Sequence, residues 1–338
     1  MIVLSEHETG TTAFDELHER LSFDRTVDRT LLHRAALSEV FVTDSCRTGD
    51  STYAVAAQLP ASHAFYTSLL ISPRTVDPLL LECCRQAETL CTHEYFGVDR
   101  CTKFVLREWS LEVDPDVISG LGTPAELIVE VEPHSARYRD GRLLGTDYEM
   151  RMRVESGTVG LVRMAVNYLP PEPYAVMRRR GRPGPPPSSD EFAAGTAAQL
   201  VPPYWVGRTN PADVLLCEPV VTVDSVTAGV RVPVDNASMF DHAQDHLPGM
   251  ILMEAARQVV AFTMHEHHGI SPARGVVAGM DARFFRYAEL DAPLSVVAKT
   301  GDRGGCAVSF LQNGDEVAAV DTTPTVLPQR SFRTGQVW

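Results

Sequence analysis

The sequence predicts an α+β fold made of two similar halves, each an antiparallel sheet wrapped around one long apolar helix. The first observation is a repeat: "EVFVTD" (39–44) returns as "EPVVTVD" (218–224), and "LLLECCRQAETL" (79–90) returns as "ILMEAARQVVAF" (251–262). Both pairs keep the same order, which is typical of a tandem duplication. The second observation is that each half combines one apolar helical run with several alternating runs that are typical of strands.

In the first half, two strand-like runs precede the helix and three follow it. The runs before it are "EVFVTD" and "TYAVAAQLP", and the helix is "DPLLLECCRQAETLCTHEYF". The runs after it are "AELIVEVEPHSARY", "DYEMRMRVESG" and "VGLVRMAVNYL". Their alternation predicts antiparallel strands with one solvated face.

The second half repeats this plan. Its first strands are "EPVVTVD" and "GVRVPVD", its helix lies in "MFDHAQDHLPGMILMEAARQVV", and its later strands are "ARFFRYAEL", "LSVVAKTG", "CAVSFLQNG" and "EVAAVDTTPTV". Each half is thus predicted to hold one long helix and about five or six strands. An antiparallel sheet around a central hydrophobic helix is the hot-dog arrangement, so we predict a tandem, or double, hot-dog.

The predicted boundaries follow from this repeat. Residues 1–29 form an N-terminal extension, 30–170 the first half, 212–328 the second half and 329–338 a C-terminal tail. Residues 171–211 are rich in proline and glycine, which predicts a surface linker without regular structure. Its "MRRRGR" run is interpreted as a solvated loop, with docking of an acidic partner as the alternative.

Composition narrows the classes of function. The formal net charge is −14, which disfavours nucleic acid as a partner because binding to phosphates requires clustered Lys and Arg. No apolar run approaches the roughly 18 residues of a membrane span and no secretory signal is recognised, so we expect a cytoplasmic protein without a membrane partner. The seven cysteines form no CxxC pair, and we expect free thiols.

The stretch "MFDHAQDHLPGMILMEAARQVV" (239–260) carries the chemistry. His242 and His246, with Asp241 or Asp245, form one candidate zinc site. However, Pro248 and the glycine after it predict that the helix begins there, which leaves both histidines in a loop without the spacing of a metal motif. We therefore predict no metal and no cofactor.

Charged residues on the two predicted central helices need an explanation. Glu254 and Arg257 lie three residues apart, as do Glu82 and Arg85 in the first half, so each pair shares a helix face and forms a candidate structural ion pair. Both helices are otherwise apolar nearly all round, and buried charges cost several kcal/mol unless they are paired or used. We favour polar groups at the rim of a pocket, where catalytic acids and bases are partly buried.

The loop and helix resemble those of the hot-dog acyl carrier protein dehydratases, which use a loop histidine and a helix glutamate on an acyl thioester. Pro248 and Gly249 occupy the proline-glycine positions of that motif, and His242 falls close to its histidine. The loop is about two residues shorter and lacks the "GHFP" form, so the resemblance implies an acyl-thioester pocket rather than dehydration.

The closer resemblance is to the A-factor synthase family (AfsA type), through "LLHRAALSEVFVTD", "DPLLLECCRQAE" and "FDHAQDHLPGMILMEAARQ", in the same tandem order over roughly residues 30–325. It implies an acyltransferase that moves a 3-oxoacyl chain from acyl carrier protein to dihydroxyacetone phosphate, the first committed step of γ-butyrolactone, butenolide or furan signal biosynthesis.

The residue types suit that chemistry. An attacking hydroxyl requires a general base, for which Glu254, His242 and Glu82 are candidates. The phosphate requires a guanidinium, offered by Arg257 or Arg85, and the thioester oxygen requires donors, offered by backbone N–H groups at Gly249. Asp241 and His246 complete the predicted substrate-binding set of the loop.

The two halves differ in their loops, because "FYT" (65–67) stands where the second half has "FDH" (240–242). We therefore predict one complete site around the second-half loop, with Glu82 either completing it or belonging to a degenerate copy. The rival readings are a thioesterase or dehydratase on acyl thioesters and a non-catalytic acyl-binding regulator. The oligomeric state, a homodimer included, stays open.

Overall fold

The computed structural model describes residues 9–70, 77–192, 198–301 and 305–327. The α-helices in these ranges are α1 (Thr9–His18), α2 (Asp77–Glu94), α3 (Pro115–Gly120), α4 (Pro171–Arg179) and α5 (Gly249–His268). The strands of the first half are β1 (Val42–Arg47), β2 (Tyr53–Leu59), β3 (Lys103–Val113), β4 (Ala125–Arg139), β5 (Arg142–Val154) and β6 (Gly157–Leu169). Those of the second half are β7 (Leu216–Val221), β8 (Ser225–Val230), β9 (Gly275–Phe284), β10 (Leu294–Thr300), β11 (Cys306–Gln312) and β12 (Asp315–Val326).

These strands form one antiparallel sheet in the order β1, β2, β4, β5, β6, β3, β9, β12, β11, β10, β8, β7. Read inward from either edge, the two halves have the same order, as a duplication requires. Each half contributes six described strands and one long helix, which confirms the predicted double hot-dog.

The strand β3, absent from the sequence prediction, joins the two halves. It pairs with β6 of its own half and with β9 of the second half, where Trp109 lies opposite Ala282 and Leu111 lies opposite Met280. The two sheets therefore continue into each other, and the two central helices lie on the same sheet.

The helices α2 and α5 form the centre of the core. Leu80 and Cys84 of α2 and Ala255 and Val259 of α5 are fully buried, which fits sequences that are apolar nearly all round. Pro248 is the N-cap of α5, so the predicted start of this helix is confirmed. None of the helices in the described ranges has both the length and the hydropathy needed to cross a membrane.

The linker differs from its prediction, because the described residues of 171–211 contain α4 and two short 3-10 helices, and a third begins at Pro211. Prolines in the first turn of α4 are compatible with a helix start, since their missing N–H groups would be unpaired there anyway. Arg178, in the "MRRRGR" run, is buried and donates hydrogen bonds to Asp245 and Glu289. This arginine therefore holds the linker against the second half and is not a solvated docking residue.

Candidate active site

A buried ion cluster surrounds Glu82 on α2. The carboxylate accepts hydrogen bonds from Arg34, from Arg85 Nε at 2.9 Å and from Gln86 Nε2 at 2.6 Å. Gln86 also donates to the Glu39 carbonyl and accepts from the Phe41 amide, which ties α2 to the segment entering β1. The two arginines and the Gln86 amide therefore compensate the buried negative charge of Glu82 inside the protein.

The same cluster surrounds Glu254 on α5. It accepts hydrogen bonds from Arg208 Nε at 3.0 Å, Arg257 Nε at 2.8 Å and Gln258 Nε2 at 2.6 Å. Gln258 in turn binds the backbone that enters β7, through the Leu215 amide. The repeated E-x-x-R-Q motif therefore builds one architecture twice, each time with a second arginine from the segment before the first strand of that half.

Both glutamates are ionised at any physiological pH. Burial opposes the charge, but Arg34 and Arg85 lower the pKa of Glu82 to about 2, and Arg208 and Arg257 lower the pKa of Glu254 to about 2. An efficient general base has a pKa near the working pH, so either carboxylate is a weak base in this state.

The two clusters differ in their access to solvent. Arg208 is fully buried, and its Nη1 donates to the Phe65 carbonyl and to Ser68. The side chains of Arg34 and Arg85 are 10% and 21% exposed, and within the described ranges neither Nη1 has a hydrogen-bond acceptor in the protein. Arg34 and Arg85 thus retain donors beside the groove for an anion, whereas Arg208 is fully buried and out of reach of one.

A groove of about 1200 Å³ opens beside the first-half cluster, between α2, the loop 238–247 and the start of α5. Its polar lining residues include His33, Arg34, Arg85, Glu88, Thr89, Arg100, Lys103, Asp241, His242 and His246. Its apolar lining residues include Phe104, Leu106, Trp109, Met164, Val166, Met250 and Phe284. The groove therefore combines an apolar channel with a cationic side, as an acyl chain and a phosphate would require.

Within this groove, Asp241 fixes the orientation of His242. The carboxylate accepts hydrogen bonds from the Ala35 and Ala36 amides at 2.6 and 2.8 Å, and it lies 3.2 Å from His242 Nδ1. Burial opposes ionisation, but hydrogen bonds from His242 and from these amides hold the pKa of Asp241 at about 2. A permanent carboxylate at Nδ1 favours the tautomer that leaves Nε2 as the acceptor.

Nε2 of His242 contacts the side-chain amide of Gln244 at 2.5 Å. Gln244 also lines the groove. A carboxylate that holds Nδ1 of an imidazole, and so leaves Nε2 as a hydrogen-bond acceptor, is the arrangement of a general base with its orienting group.

His33 lies on the same groove and stays neutral. Its pKa falls to about 3, chiefly because of burial and then because of the nearby His93, Arg85 and His242. His93 Nδ1 donates to the Val98 carbonyl, so its Nε2 accepts from His33 Nε2 at 2.9 Å.

The N-terminus of α5 faces the groove. Pro248, Gly249 and Met250 line it, and the first amides of a helix have no partner within that helix. A Cβ at Gly249 would lie 2.9 Å from Leu106 Cδ2, so glycine permits close packing of the helix start on β3. These amides are suitable donors for a developing negative charge.

Arg257, the other predicted phosphate ligand, does not share this groove. It lies on a separate cavity of about 20 Å³ with Leu69, Asp77 and Gly207, at the corresponding position of the second half. Among the predicted residues, the structure brings Glu254, Arg85, Asp241, His242, His246 and Gly249 to the lining of the groove. Glu82 lies behind Arg85, and Arg257 lies with the second cluster.

His246 is anchored at the groove wall. Its Nδ1 lies 2.6 Å from Asp245 Oδ1, and its ring packs edge-on against Tyr287. Asp245 also accepts hydrogen bonds from Tyr174 and Arg178 of α4, and with the His246 contact these hold its pKa far below the usual range although burial opposes this. His246 therefore connects the loop to the linker helix.

Reasoning from the sequence missed Arg34, Arg208, His33 and Glu88. Arg34 and Arg208 occur as "HR" and "GR" ahead of the first strand of each half, and that weak repeat is the signal that could have identified them. His33 and Glu88 have no counterpart in the other half and carry no local motif.

Comparison with known proteins identifies the family. The family model described as "A-factor biosynthesis hotdog domain" matches residues 16–169 and 189–328. A 2-oxo-3-(phosphooxy)propyl 3-oxoalkanoate synthase of Streptomyces virginiae is 34% identical over 298 residues, covering 86% of this chain and 94% of the relative. A synthase of the same name from Streptomyces coelicolor is 30% identical over 277 residues, covering 80% and 81%.

Among solved structures, the pyran synthase domain from module nine of the sorangicin pathway has a TM-score of 0.51 and 14% identity, covering 86% of this chain and 98% of that domain. At that identity the likeness concerns the fold alone. The family model and the synthases confirm the family that the motifs predicted. The chain belongs to the A-factor biosynthesis hotdog family.

Proposed function

We propose that this protein transfers a 3-oxoacyl chain from acyl carrier protein to the hydroxyl of dihydroxyacetone phosphate. The name shared by its relatives describes the ester that this reaction forms. One structural observation carries the proposal: the Asp241–His242 pair opens onto the same groove as the arginines of the first-half cluster. The product is the first committed intermediate of a γ-butyrolactone-type signal.

His242 is the proposed general base. Its Nε2 takes the proton as the hydroxyl oxygen attacks the thioester carbonyl carbon; the C–S bond then breaks and His242 returns the proton to the thiolate. Of the three candidate bases, His242 alone combines an acceptor nitrogen with an ionised orienting group in the groove. Glu82 and Glu254 act as positioning residues, because their pKa values near 2 make them weak bases.

Arg34 and Arg85 are the proposed phosphate ligands. Both line the groove, and Glu82 holds both guanidiniums in place through charge-assisted hydrogen bonds. One carboxylate between two guanidiniums leaves a net positive charge, which favours a dianionic phosphate. The amides at the start of α5 are the proposed donors to the thioester oxygen as it becomes negative.

Acyl carrier protein is acidic, so it requires a basic surface on a chain of net charge −14. Arg100, Lys103 and Arg286 line the groove, and Phe285 beside them is 52% exposed. We assign carrier docking to this rim, from which a thioester arm would enter the apolar channel. The reaction uses no cofactor, and we place it in the cytoplasm.

Mass spectrometry of the purified protein with a 3-oxoacyl carrier protein and dihydroxyacetone phosphate tests the reaction. We expect a phosphate-bearing ester and free carrier, both dependent on the acceptor. A free acid would identify a thioesterase, and an enoyl product would identify a dehydratase. Unchanged thioester after long incubation would identify a binding protein, and each of these three results contradicts the proposal.

Paired variants test the assigned roles. His242→Gln is expected to lower kcat by about 10²–10⁴-fold, the usual worth of general base catalysis, and His246→Gln by much less. Arg85→Gln is expected to raise the KM for dihydroxyacetone phosphate, whereas Arg257→Gln, its counterpart in the second half, is expected to change that KM little in the folded protein. Equal effects within either pair would refute the assignment.

A further inference from the structure

A second buried carboxyl group, unused by the mechanism above, lies on α2. Glu88 is 1% exposed, and its Oε1 accepts hydrogen bonds from Tyr168 at 2.8 Å and Thr92 at 3.1 Å. Tyr148 closes the cluster through contacts of 2.8 Å with Thr92 and 3.0 Å with Tyr168. Two hydroxyl groups thus bind one oxygen of a buried carboxyl group, and a third hydroxyl group binds both of them.

The other oxygen, Oε2, retains hydrogen-bonding capacity. In the described ranges its protein partner is the Thr89 hydroxyl at 3.1 Å, and that hydroxyl also lies 2.9 Å from the Arg85 carbonyl. Thr89 has a single proton and can donate it to the Arg85 carbonyl, so a protonated Oε2 is the donor toward the Thr89 oxygen or toward a stronger acceptor that enters the groove. Glu88 and Thr89 both line the groove, one turn of helix beyond Arg85.

The duplicated half shows that the fold does not require this carboxyl group. Aligning "LLLECCRQAETL" with "ILMEAARQVVAF" sets Glu88 opposite Val260 and Thr89 opposite Ala261. Val260 and Ala261 line the small cavity of about 20 Å³ beside Arg257. The polar cluster therefore accompanies the large groove, and its apolar counterpart accompanies the small cavity.

The surroundings of Glu88 limit what it can bind. Nearby groove residues Trp109, Met164 and Val166 are apolar, so this part of the groove suits an alkyl chain. A carboxyl group against an alkyl chain costs free energy unless the chain brings a hydrogen-bonding partner. Beyond the thioester, the single polar atom of a 3-oxoalkanoyl chain is its 3-oxo oxygen.

We propose that Glu88 binds the 3-oxo oxygen of the acyl chain through Oε2 and so selects 3-oxoacyl donors over saturated ones. This inference rests on the proposed function for the identity of the donor. A carbonyl acceptor requires a donor, and burial raises the pKa of Glu88 to about 7, so its protonated form is present at neutral pH. Tyr168, Thr89 and Thr92 oppose that shift by donating to the ionised form, and the charge of Arg85 adds to their effect.

The test compares dissociation constants for a matched pair of acyl-pantetheine thioesters, one 3-oxo and one saturated, with the same chain length. Wild type is expected to bind the 3-oxo compound about tenfold or more tightly, the usual worth of one buried hydrogen bond. Glu88→Val, which introduces the residue of the second half, is expected to bring this ratio close to one. Glu88→Gln is expected to keep most of the preference, because the amide still donates.

Val260→Ala is the matched control, since it alters the corresponding buried position and should leave the ratio unchanged. An unchanged ratio in Glu88→Val would overturn the inference, and so would equal loss of the ratio in Glu88→Val and Glu88→Gln. Binding is measured without the acceptor, so a protein that binds selectively but forms no ester would contradict the proposed function and leave this inference standing.

Discussion

Removal of the two buried glutamates is expected to affect stability unequally. Glu254→Gln leaves Arg208 fully buried without a carboxylate, and breaking a buried ion pair costs about 3–5 kcal/mol. Glu82→Gln leaves Arg34 and Arg85, which are 10% and 21% exposed beside a groove of about 1200 Å³. Because water can reach them, we expect a smaller loss of about 1–3 kcal/mol.

The assay is denaturation of both variants by urea at pH 7, followed by circular dichroism, with the slope of each transition compared with wild type. A shift of the midpoint at constant slope reports a change in stability rather than in the extent of unfolding. Glutamine preserves the shape of the side chain, so the comparison isolates the lost charge.

The pKa values supply the alternative expectation. Both glutamates have a pKa of about 2, so the shift alone predicts equal losses for the two variants. A depressed pKa gives stability that is present above the ordinary value, near 4.5, and is lost as the pH falls toward 2. Equal losses at pH 7, or a larger loss in Glu82→Gln, would refute the reasoning from solvent access.

Three further predictions concern other parts of the molecule. Arg178→Met removes the cation that the linker helix places between Asp245 and Glu289, and because these carboxylates are 27% and 20% exposed we expect a loss of about 1–3 kcal/mol in urea unfolding; an unchanged midpoint would contradict this. Glu88→Gln should remove a pH dependence of the free energy of unfolding. Because the pKa of Glu88 is raised, the wild-type protein has its full stability below about pH 4.5 and loses about 3 kcal/mol as the pH rises through 7. Thermal melts at pH 5 and pH 8 check this, and the variant should be the more stable protein at pH 8. Gly160→Ala places a Cβ 2.2 Å from the Glu112 carbonyl oxygen and should lower the melting temperature strongly, whereas Gly120→Ala meets nothing within 4 Å and should not; similar melting temperatures would exclude the clash.

The sequence predicts the fold well because the repeat and the strand alternation are local signals. It does not predict β3, because a bulge between Leu106 and Glu108 interrupts the alternation in "KFVLREWSLEV". It also predicts no regular structure for the linker, where α4 depends on the long-range ion pairs of Arg178. Both differences come from interactions that are formed only in three dimensions.

The candidate site is predictable in its loop and helix but not in its assembly. The sequence identifies His242, Asp241 and the E-x-x-R-Q helices, because each of these is a short motif. It cannot show that Arg34, 48 residues before Glu82, completes the first-half cluster. Nor can it show that the second-half loop faces the first-half helix, since that depends on how β3 and β9 join the sheets.

The two halves contribute different parts of the candidate site. Each half supplies the glutamate cluster of its own helix. The loop beside the first-half cluster, however, belongs to the second half, and Asp241 in this loop accepts hydrogen bonds from the amides of Ala35 and Ala36. The reciprocal contact runs from Arg208 to the Phe65 carbonyl, and the cavity beside Arg257 in that half has a volume of about 20 Å³, against about 1200 Å³ for the groove. Both halves keep a glutamate cluster although the cavities beside the clusters differ in volume, about 1200 and 20 Å³, and we infer that the clusters have a structural role in both halves. The Asp–His loop and the polar lining of the groove differ between the halves, and we expect the proposed chemistry to depend on them together with the arginines of the first-half cluster.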